Sequence, residues 1–364
     1  MNRGPDVPLA WKFHEDIRIP PELDGDVRFE DVAGTDVGAD RDGRIYVLDR
    51  PGGRVLVFGR QGRLVGSVGG PEAGSTGLAE PIALGVSADG EVAVYDSGTG
   101  IVRRWGASGE MPPERLEAPF VGPGLAVASW GIVYPSRGPE ESDARIVRLA
   151  VRGTTRTGFL VEVKRPVASA SFPSCGGTSR PMPPIFSPEL RWSLGRDELA
   201  AAAGPEYEIR VFDRGVLVRT VTRDVPPLPA SRELALRAVG AGLELTTPVR
   251  CLVPPAEVLQ VRGFAPVVPT ISGLAVAPDG SVWVRRAVVR SEEDPAIDIL
   301  RPDGGYLGTL PPGSPFPAAF AGRAGDYRVV SIATPDRRVT EVLVSRIERK
   351  TATSPGRGSQ GGSS

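Results

Sequence analysis

"DGRIYVLD", the stretch from Asp42 to Asp49, returns as "DGEVAVYD" from Asp89 to Asp96. The second copy starts 47 residues after the first, at position 89 against position 42. The correspondence continues downstream without a gap to Gly62 and Gly109. A fixed period of this length indicates a repeat architecture, in which each repeat is one supersecondary unit that stacks on its neighbours.

Each repeat predicts short antiparallel strands separated by turns. The Asp42-Gly43 dipeptide is a hairpin turn signal, because glycine accepts a positive φ without steric cost. The apolar run that follows it, residues 45–48, is typical of a strand buried on both faces. Residues 54–58 and 63–69 predict a third and a fourth strand. Four antiparallel strands per repeat form one blade of a β-propeller.

Four more copies of the repeat follow with less regular sequences, and the third unit is the most degenerate. They lie at residues 130–153, 195–221, 278–310 and 325–347. The sequence therefore predicts an all-β fold, a six-bladed propeller of four-stranded antiparallel blades. The last unit lacks one strand, and the alternating segment Trp11–Ile19 can supply it. We expect this N-terminal strand to close the ring, since unpaired sheet edges are otherwise left at both ends.

The domain organisation follows from these boundaries. We expect an N-terminal extension over residues 1–10, the propeller over 11–350 and a disordered tail over 351–364, where apolar residues are nearly absent. Between the fourth and fifth blades the spacing exceeds the period by 35 residues, from 197 to 279. This predicts an insertion at 224–270.

The insertion is predicted to be partly helical. Ser231 is a candidate N-cap and Gly240 a candidate stop. The predicted apolar face of the helix comprises Leu234, Ala235, Ala238 and Val239. The insertion is either packed on a blade edge or placed as a lid over one end of the central channel.

Three blade phrases carry a resemblance to a known family. They are "GRIYVLDRPGGRVLVFGRQGRLVGSVG" at 43–69, "YEIRVFDRGVLVRTV" at 207–221 and "ISGLAVAPDGSVWVRR" at 271–286. They resemble the NHL-repeat-like six-bladed β-propellers of bacteria, over nearly the whole chain from residue 11 to 347. The resemblance implies the architecture and leaves the activity open.

Composition argues against two classes of partner. Lysine and arginine number 43 against 44 acidic residues, so the net charge of −1 gives no overall footprint for nucleic acid. No apolar run reaches the ~20 residues of a membrane helix. We also expect the protein to be a monomer. The first residues lack the apolar core of a secretory signal. The sequence thus indicates a cytoplasmic protein as it stands, or a periplasmic or extracellular one if an upstream signal is missing.

Histidine and asparagine are too few for several kinds of catalytic site. His14 is the single histidine and falls in the predicted closing strand, where a surface position is expected. A catalytic triad or a histidine-rich metal site needs a histidine near the channel. Calcium-dependent lactonase propellers use Glu, Asn and Asp, and a resemblance to them would imply such a set, but Asn2 is the single asparagine. No cofactor is predicted, and calcium is the ion that a site of carboxylates and carbonyls would take.

The two cysteines leave two alternatives open. Cys175 and Cys251 lie in segments that enter neighbouring blades, so their loops could meet on one face. Two isolated buried thiols are the simpler alternative. A disulfide between them would favour an exported protein.

Charged residues at the ends of the second strands and the starts of the innermost strands predict a binding site at the channel mouth. The candidates are Asp49, Arg50, Glu80, Asp96, Arg137, Arg191, Arg285 and Arg286. Arg285 and Arg286 replace the aspartate of the first two copies, and fixed cations suit a carboxylate or phosphate.

Two functions follow from this candidate site. The first is a non-enzymatic binding or interaction propeller for a protein, a peptide or a small anionic ligand. The alternative is a lactonase- or esterase-like hydrolase with a carboxylate-based central site, which could be calcium-dependent. In that enzyme Glu80 or Asp96 would act as the base.

Overall fold

The computed structural model describes residues 2, 4–20, 37–70, 77–106, 109–116, 120, 124–140, 144–152, 157–247, 249–287, 294–333 and 341–349. In this part of the chain the strands form six four-stranded antiparallel sheets and three two-stranded ones. The six larger sheets are the blades of a propeller, as the 47-residue period predicts. The predicted tail at 351–364 lies outside the described residues.

The first half of the ring begins with the closing strand and continues through three blades. Strand β1 is Trp11–Ile19. Blade 1 contains β2 (Val37–Ala39), β3 (Ile45–Asp49), β4 (Arg54–Phe58) and β5 (Leu64–Gly69). Blade 2 contains β6 (Pro81–Val86), β7 (Val92–Asp96), β8 (Ile101–Gly106) and β9 (Gly109–Arg115). Blade 3 contains β10 (Ala126–Ala128), β11 (Gly131–Glu140), β12 (Ala144–Arg152) and β13 (Thr157–Pro166).

The second half of the ring carries two insertions. A first insertion contains the hairpin β14 (Ala168–Phe172) and β15 (Thr178–Met182). Blade 4 contains β16 (Arg191–Leu194), β17 (Glu198–Ala202), β18 (Glu208–Asp213) and β19 (Val216–Thr222). The second insertion contains β20 (Leu228–Pro229), α1 (Arg232–Val239), β21 (Leu243–Thr247), β22 (Val249–Val253), α2 (Pro255–Arg262) and β23 (Val267–Val268). Blade 5 contains β24 (Ile271–Val276), β25 (Val282–Arg286), β26 (Ile297–Leu300) and β27 (Tyr306–Thr309), and blade 6 contains β28 (Ala319–Arg323), β29 (Asp326–Ala333) and β30 (Glu341–Arg349).

The N-terminal strand closes the ring, and the prediction is confirmed. β1 pairs antiparallel with β30 from Trp11 opposite Arg349 to Ile19 opposite Val342. Blade 6 therefore has the order β1-β30-β29-β28, with its outermost strand taken from the opposite end of the chain. This pairing satisfies the backbone groups of a sheet edge that would otherwise be open.

The cores lie between adjacent blades and not inside single ones. Trp283 of blade 5 is fully buried, and its ring lies 5.9 Å from that of Trp11 and 5.5 Å from that of Phe320. At the next seam Ile19 packs with Ile45 of blade 1, both fully buried. The closing strand thus contributes side chains to two seams, and its removal would open both.

Blade 3 is complete despite its degenerate sequence. β11, β12 and β13 contain 10, 9 and 10 residues, against 5 to 6 for β3, β4 and β5. Its sequence lacks the Asp-Gly dipeptide in the turn between β10 and β11. Trp130 lies in that turn and is buried against blade 4. The long apolar strands thus form the blade even though the turn signal is lost.

The structure contains an additional insertion, before blade 4, that the sequence analysis did not predict. The hairpin β14–β15 connects the outermost strand of blade 3 to the innermost strand of blade 4. It packs against the second insertion, and the two together are called the satellite module. A disulfide joins Cys175 to Cys251 across them, with Cα atoms 5.9 Å apart. Of the two alternatives for the cysteines, the structure contains the bridge.

The satellite module has a small core of its own. Phe172 and Val258 are fully buried there, each from a different insertion. Helix α1 begins after Ser231, whose side chain accepts a hydrogen bond from the Leu234 N–H, as its sequence predicts. The predicted apolar face is partly wrong, since Ala238 is exposed. The face that helix α1 packs against the satellite module comprises Ala235, Leu236 and Val239.

Both insertions leave the same side of the ring. In each blade the second strand ends on the face where the innermost strand begins, because the strands are antiparallel. We call this the upper face. Each insertion connects an outermost strand to the next innermost strand, so both emerge on the upper face.

Candidate functional site

A central cavity of about 720 Å³ runs through the ring. The innermost strands of all six blades line it, with residues that include Gly38, Leu84, Ala126, Trp192, Leu274 and Phe320. Glycine allows these strands to approach one another closely. A Cβ on Gly38 would lie 2.4 Å from Val86 Cγ2, and one on Gly85 would lie 2.9 Å from the Leu125 oxygen.

The charged groups of this lining are strongly biased toward cations. Among the described lining residues there are five arginines and one aspartate: Arg41, Arg191, Arg196, Arg285, Arg323 and Asp40. Arg191 and Arg285 belong to the upper end, where β16 begins and β25 ends. The other four belong to the opposite end, which we call the lower end.

Asp40 serves the local backbone. Its Oδ1 atom accepts hydrogen bonds from the backbone N–H groups of Asp42 and Arg44, at 2.9 Å each. Its Oδ2 atom accepts one from the Tyr46 hydroxyl at 2.9 Å. Burial, together with this carboxylate, raises the pKa of Tyr46 to about 12. Asp40 is therefore a turn-stabilising group and not a free base in the cavity.

The arginines at the lower end have acidic neighbours. Arg41 lies 2.5 Å from Asp89, and Arg323 lies 2.9 Å from Asp42. Both are solvent-exposed ion pairs, so each of these arginines has a described acidic partner but is only weakly held by it.

The upper end carries a cation of a different kind. Arg285 is half-buried, and its guanidinium carbon lies 4.7 Å from the centre of the Phe316 ring. None of the described carboxylates forms an ion pair with it. Burial, and secondarily the charge of Arg191, lower the pKa of Arg285. The neighbouring Arg191 lies 2.5 Å from Glu189.

Arg286, one residue further, is engaged in a buried ion-pair network. Its guanidinium donates to both oxygens of Asp298, at 3.0 and 2.8 Å, and to Asp6 at 2.7 Å. Asp298 is fully buried and also accepts from Arg223 at 2.8 Å. We call Asp6, Arg223, Arg286 and Asp298 the outer network. It fastens the N-terminal extension to blades 4 and 5.

The two candidate aspartates stabilise turns. Asp96 is fully buried and accepts from the N–H groups of Ala79, Glu80 and Gly98 at 3.0, 2.8 and 3.1 Å. Burial alone would raise its pKa, but these bonds hold the pKa of Asp96 below its ordinary value. Asp49 accepts from the Gly52 N–H at 3.0 Å and from Arg54 at 2.9 Å. Neither side chain lines the central cavity.

The remaining candidates lie away from the cavity lining. Arg50 donates to the Ile82 oxygen at 3.3 Å, and the side chains of Glu80 and Arg137 are exposed. Of the eight predicted residues, only Arg191 and Arg285 are brought together at the described lining. The sequence analysis missed Phe316. This residue lies in the connection between blades 5 and 6, which cannot be aligned with the other copies of the repeat.

In the described residues, no three histidine, cysteine or acidic side chains are grouped so as to hold a metal ion. His14 lies on the closing strand, 2.8 Å from Glu348. The Asn2 side chain accepts from the Tyr306 N–H at 3.1 Å and donates to the Gly304 oxygen at 3.0 Å.

Comparison with solved structures identifies the architecture. An exported-protein candidate from Bacteroides fragilis superposes with a TM-score of 0.50 at 12% identity, covering 96% of this chain and 99% of the other. A DUF4221 family member from Bacteroides vulgatus gives 0.49 at 8% identity, with 93% and 99% covered. A virginiamycin B lyase from Staphylococcus aureus gives 0.40 at 12% identity, with 92% and 99% covered. At these identities the likeness concerns the fold alone.

No protein-family model matches the sequence, and no curated protein matches it significantly. Neither helix in the described part of the chain has the length and apolar character needed to cross a membrane.

Proposed function

We propose that this propeller is a non-enzymatic binding protein whose central cavity receives an anionic ligand through the upper mouth. Arg285 carries the proposal. It is a half-buried cation that borders an apolar cavity, and no described carboxylate pairs with it. Partial desolvation of an unpaired charge is unfavourable, and a bound carboxylate or phosphate would offset that cost with charge-assisted hydrogen bonds.

The lining indicates what should be attached to the anionic group. Trp192, Leu274 and Phe316 supply apolar surface close to the two arginines. A cavity with apolar walls and a few polar groups is typical of a site for a small molecule. The ligand that fits is an amphiphilic anion, either a small carboxylic acid or the acidic end of a peptide.

The hydrolase alternative receives less support from the same contacts. A general base must be free to accept a proton near the substrate. Asp96 is occupied by three backbone donors and has a lowered pKa. Glu80 is exposed and does not line the cavity. The binding function therefore accounts for more of the observed geometry.

Calorimetric titration with hexanoate tests the proposal, with hexanamide as the uncharged probe. We expect hexanoate to bind and hexanamide to bind at least about tenfold more weakly, since a charged hydrogen bond contributes ~1.5–3 kcal/mol. Arg285→Gln should reduce hexanoate affinity by a similar factor. Arg210→Gln, at an exposed ion pair with Glu208 in blade 4, is the matched control. Equal affinity in the wild type and in Arg285→Gln would refute the site.

The proposal extends to the compartment and the ancestry of the blades. The bridge between Cys175 and Cys251 supports a periplasmic or extracellular protein, because disulfides persist in oxidising compartments. Thiol titration of the denatured protein, purified without reductant, should find no free thiol, and two thiols would contradict it.

We also propose that the blades derive from NHL-type repeats, which the phrase at 43–69 supports.

A further inference from the structure

A second cavity, of about 380 Å³, lies where blades 6 and 1 meet, on the face opposite the upper one. Three turns form it: the one after β2, the one between β4 and β5, and the one between β28 and β29. Its charged lining residues are Arg41, Asp42, Arg60, Arg323, Asp326 and Arg328. We call it the seam pocket. It shares Arg41 and Arg323 with the opposite end of the central cavity, but neither Arg191 nor Arg285 lines it. The site proposed below therefore does not rest on the function proposed at the upper mouth.

The ion pairs of the seam pocket are exposed and weakly held. Arg323 lies 2.9 Å from Asp42, and Arg60 lies 3.4 Å from Asp326, with all four side chains more than half exposed. Exposed pairs of this kind contribute little free energy, since water competes for both charges. Arg323 and Arg60 can therefore turn toward another anion at small cost.

Arg328 is the exception within this pocket. Its side chain is half-buried, and no described carboxylate lies within ion-pair distance of it. Its Nη2 atom donates to the backbone oxygen of Arg60 at 3.2 Å. Burial, and then the charge of Arg60, lower its pKa, while Asp16 and Asp326 act weakly in the opposite direction. Among the residues that the structure describes, Arg328 thus has hydrogen-bond donors without an acceptor, in a cavity with more arginines than carboxylates.

A glycine preserves the space beside these arginines. Gly43 adopts a φ of +83°, which L side chains rarely take. A Cβ at this position would lie 3.2 Å from Arg60 Cγ and 3.3 Å from Arg328 Nη2. A larger residue would therefore require both arginine side chains to shift by a few tenths of an ångström.

We propose that the seam pocket binds the phosphate group of a small phosphorylated molecule. The planar donor fork of arginine matches the geometry of phosphate oxygens. Three terminal oxygens can accept from Arg60, Arg323 and Arg328 together, whereas a carboxylate offers two. The ligand would bridge blades 6 and 1, so its binding would stabilise the closed ring by mass action.

Calorimetric titration with pyrophosphate at constant ionic strength tests this site. We expect saturable binding in the wild type, and a loss of affinity of about tenfold or more in Arg328→Gln, because one charge-assisted hydrogen bond is removed. Arg60→Gln, at an exposed position, should weaken binding in the same direction and serves if Arg328→Gln fails to fold. Arg210→Gln is again the control. Pyrophosphate should also raise the melting temperature of the wild type.

Three results would overturn the proposal. The first is no saturable binding, and the second is binding unchanged in both Arg328→Gln and Arg60→Gln. The third is a loss of pyrophosphate binding in Arg285→Gln alone, which would assign the phosphate to the upper mouth. If Arg285→Gln still binds pyrophosphate, the phosphate site is distinct from the upper mouth, and this conclusion holds for either result of the hexanoate titration.

Discussion

Arg285 and Arg286 are adjacent in sequence but belong to opposite environments. Successive side chains of a strand point to opposite faces, so β25 directs one guanidinium to the central cavity and the other to the outer network. Arg286 contacts the fully buried Asp298, whereas Arg285 stacks on Phe316 without a described carboxylate partner. Adjacent arginines can thus have different roles: Arg286 belongs to a buried ion-pair network, and Arg285 is the cation that we propose binds a ligand.

The largest expected effect falls on the outer network. Asp298→Ala removes the fully buried carboxylate that Arg223 and Arg286 share and leaves them the half-exposed Asp6. Breaking a buried pair by removing one partner typically costs ~3–5 kcal/mol. Urea unfolding should show a loss of that size, while Asp326→Ala, at an exposed pair, should change stability by less than about 1 kcal/mol. A small loss for Asp298→Ala would mean that the outer network does not stabilise the ring.

The disulfide should act on a smaller region than the outer network does. Replacing both Cys175 and Cys251 by serine is expected to cost ~2–4 kcal/mol, confined to the satellite module. Hydrogen exchange should accelerate in β14, β15, β21 and β22 and remain unchanged in the strands of blades 1 and 2. Equal acceleration in the ring would show that the satellite module and the propeller unfold together.

A weaker effect is expected from Asp6, the half-exposed member of the outer network. Burial alone would raise the pKa of Asp6, but Arg223 and Arg286 lower it overall. Because the folded pKa is below the unfolded value of about 3.9, Asp6 stabilises the protein above that pH. This contribution is lost as the pH falls through the folded pKa.

Asp6→Asn should therefore lower stability by about 1 kcal/mol or less at neutral pH, given its exposure. The difference from the wild type should vanish in strong acid. Melting temperatures measured between pH 7 and pH 2 check this, and a constant difference over the whole range would contradict it.

The smallest effect on stability is expected at Arg285. Arg285→Gln removes a partly desolvated cation that lacks a described acidic partner, so the cost should stay within about 1 kcal/mol, the size of an exposed cation–π contact. Urea unfolding beside Asp298→Ala gives the direct contrast. A loss of 3 kcal/mol or more would place Arg285 with Arg286 among the stabilising residues.

The repeat allowed most of the fold to be predicted, because each copy places its apolar strands and its turns at the same spacing. The closure by Trp11–Ile19 followed from the same logic of unpaired edges. The hairpin β14–β15 was missed since it has no counterpart in other repeats. The hairpin is held by the packing of Phe172 against the second insertion, and a contact between segments so distant in the chain leaves no local pattern in the sequence.

The candidate site could be predicted less well. Strand ends indicated that Arg191 and Arg285 share a face, but the role of Arg286 depends on Asp6 and Arg223, which are distant in the chain. No local pattern shows which of two adjacent arginines will meet a buried carboxylate. Phe316, which supports Arg285, lies in a connection outside the repeat register.

The most direct test of the central claim is hexanoate affinity in Arg285→Gln and Asp6→Asn measured side by side. One variant alters the upper mouth, and the other alters the outer network that holds Arg286. We expect Arg285→Gln to weaken hexanoate binding at least about tenfold and Asp6→Asn to leave it unchanged. Weaker binding in Asp6→Asn with normal binding in Arg285→Gln would contradict it.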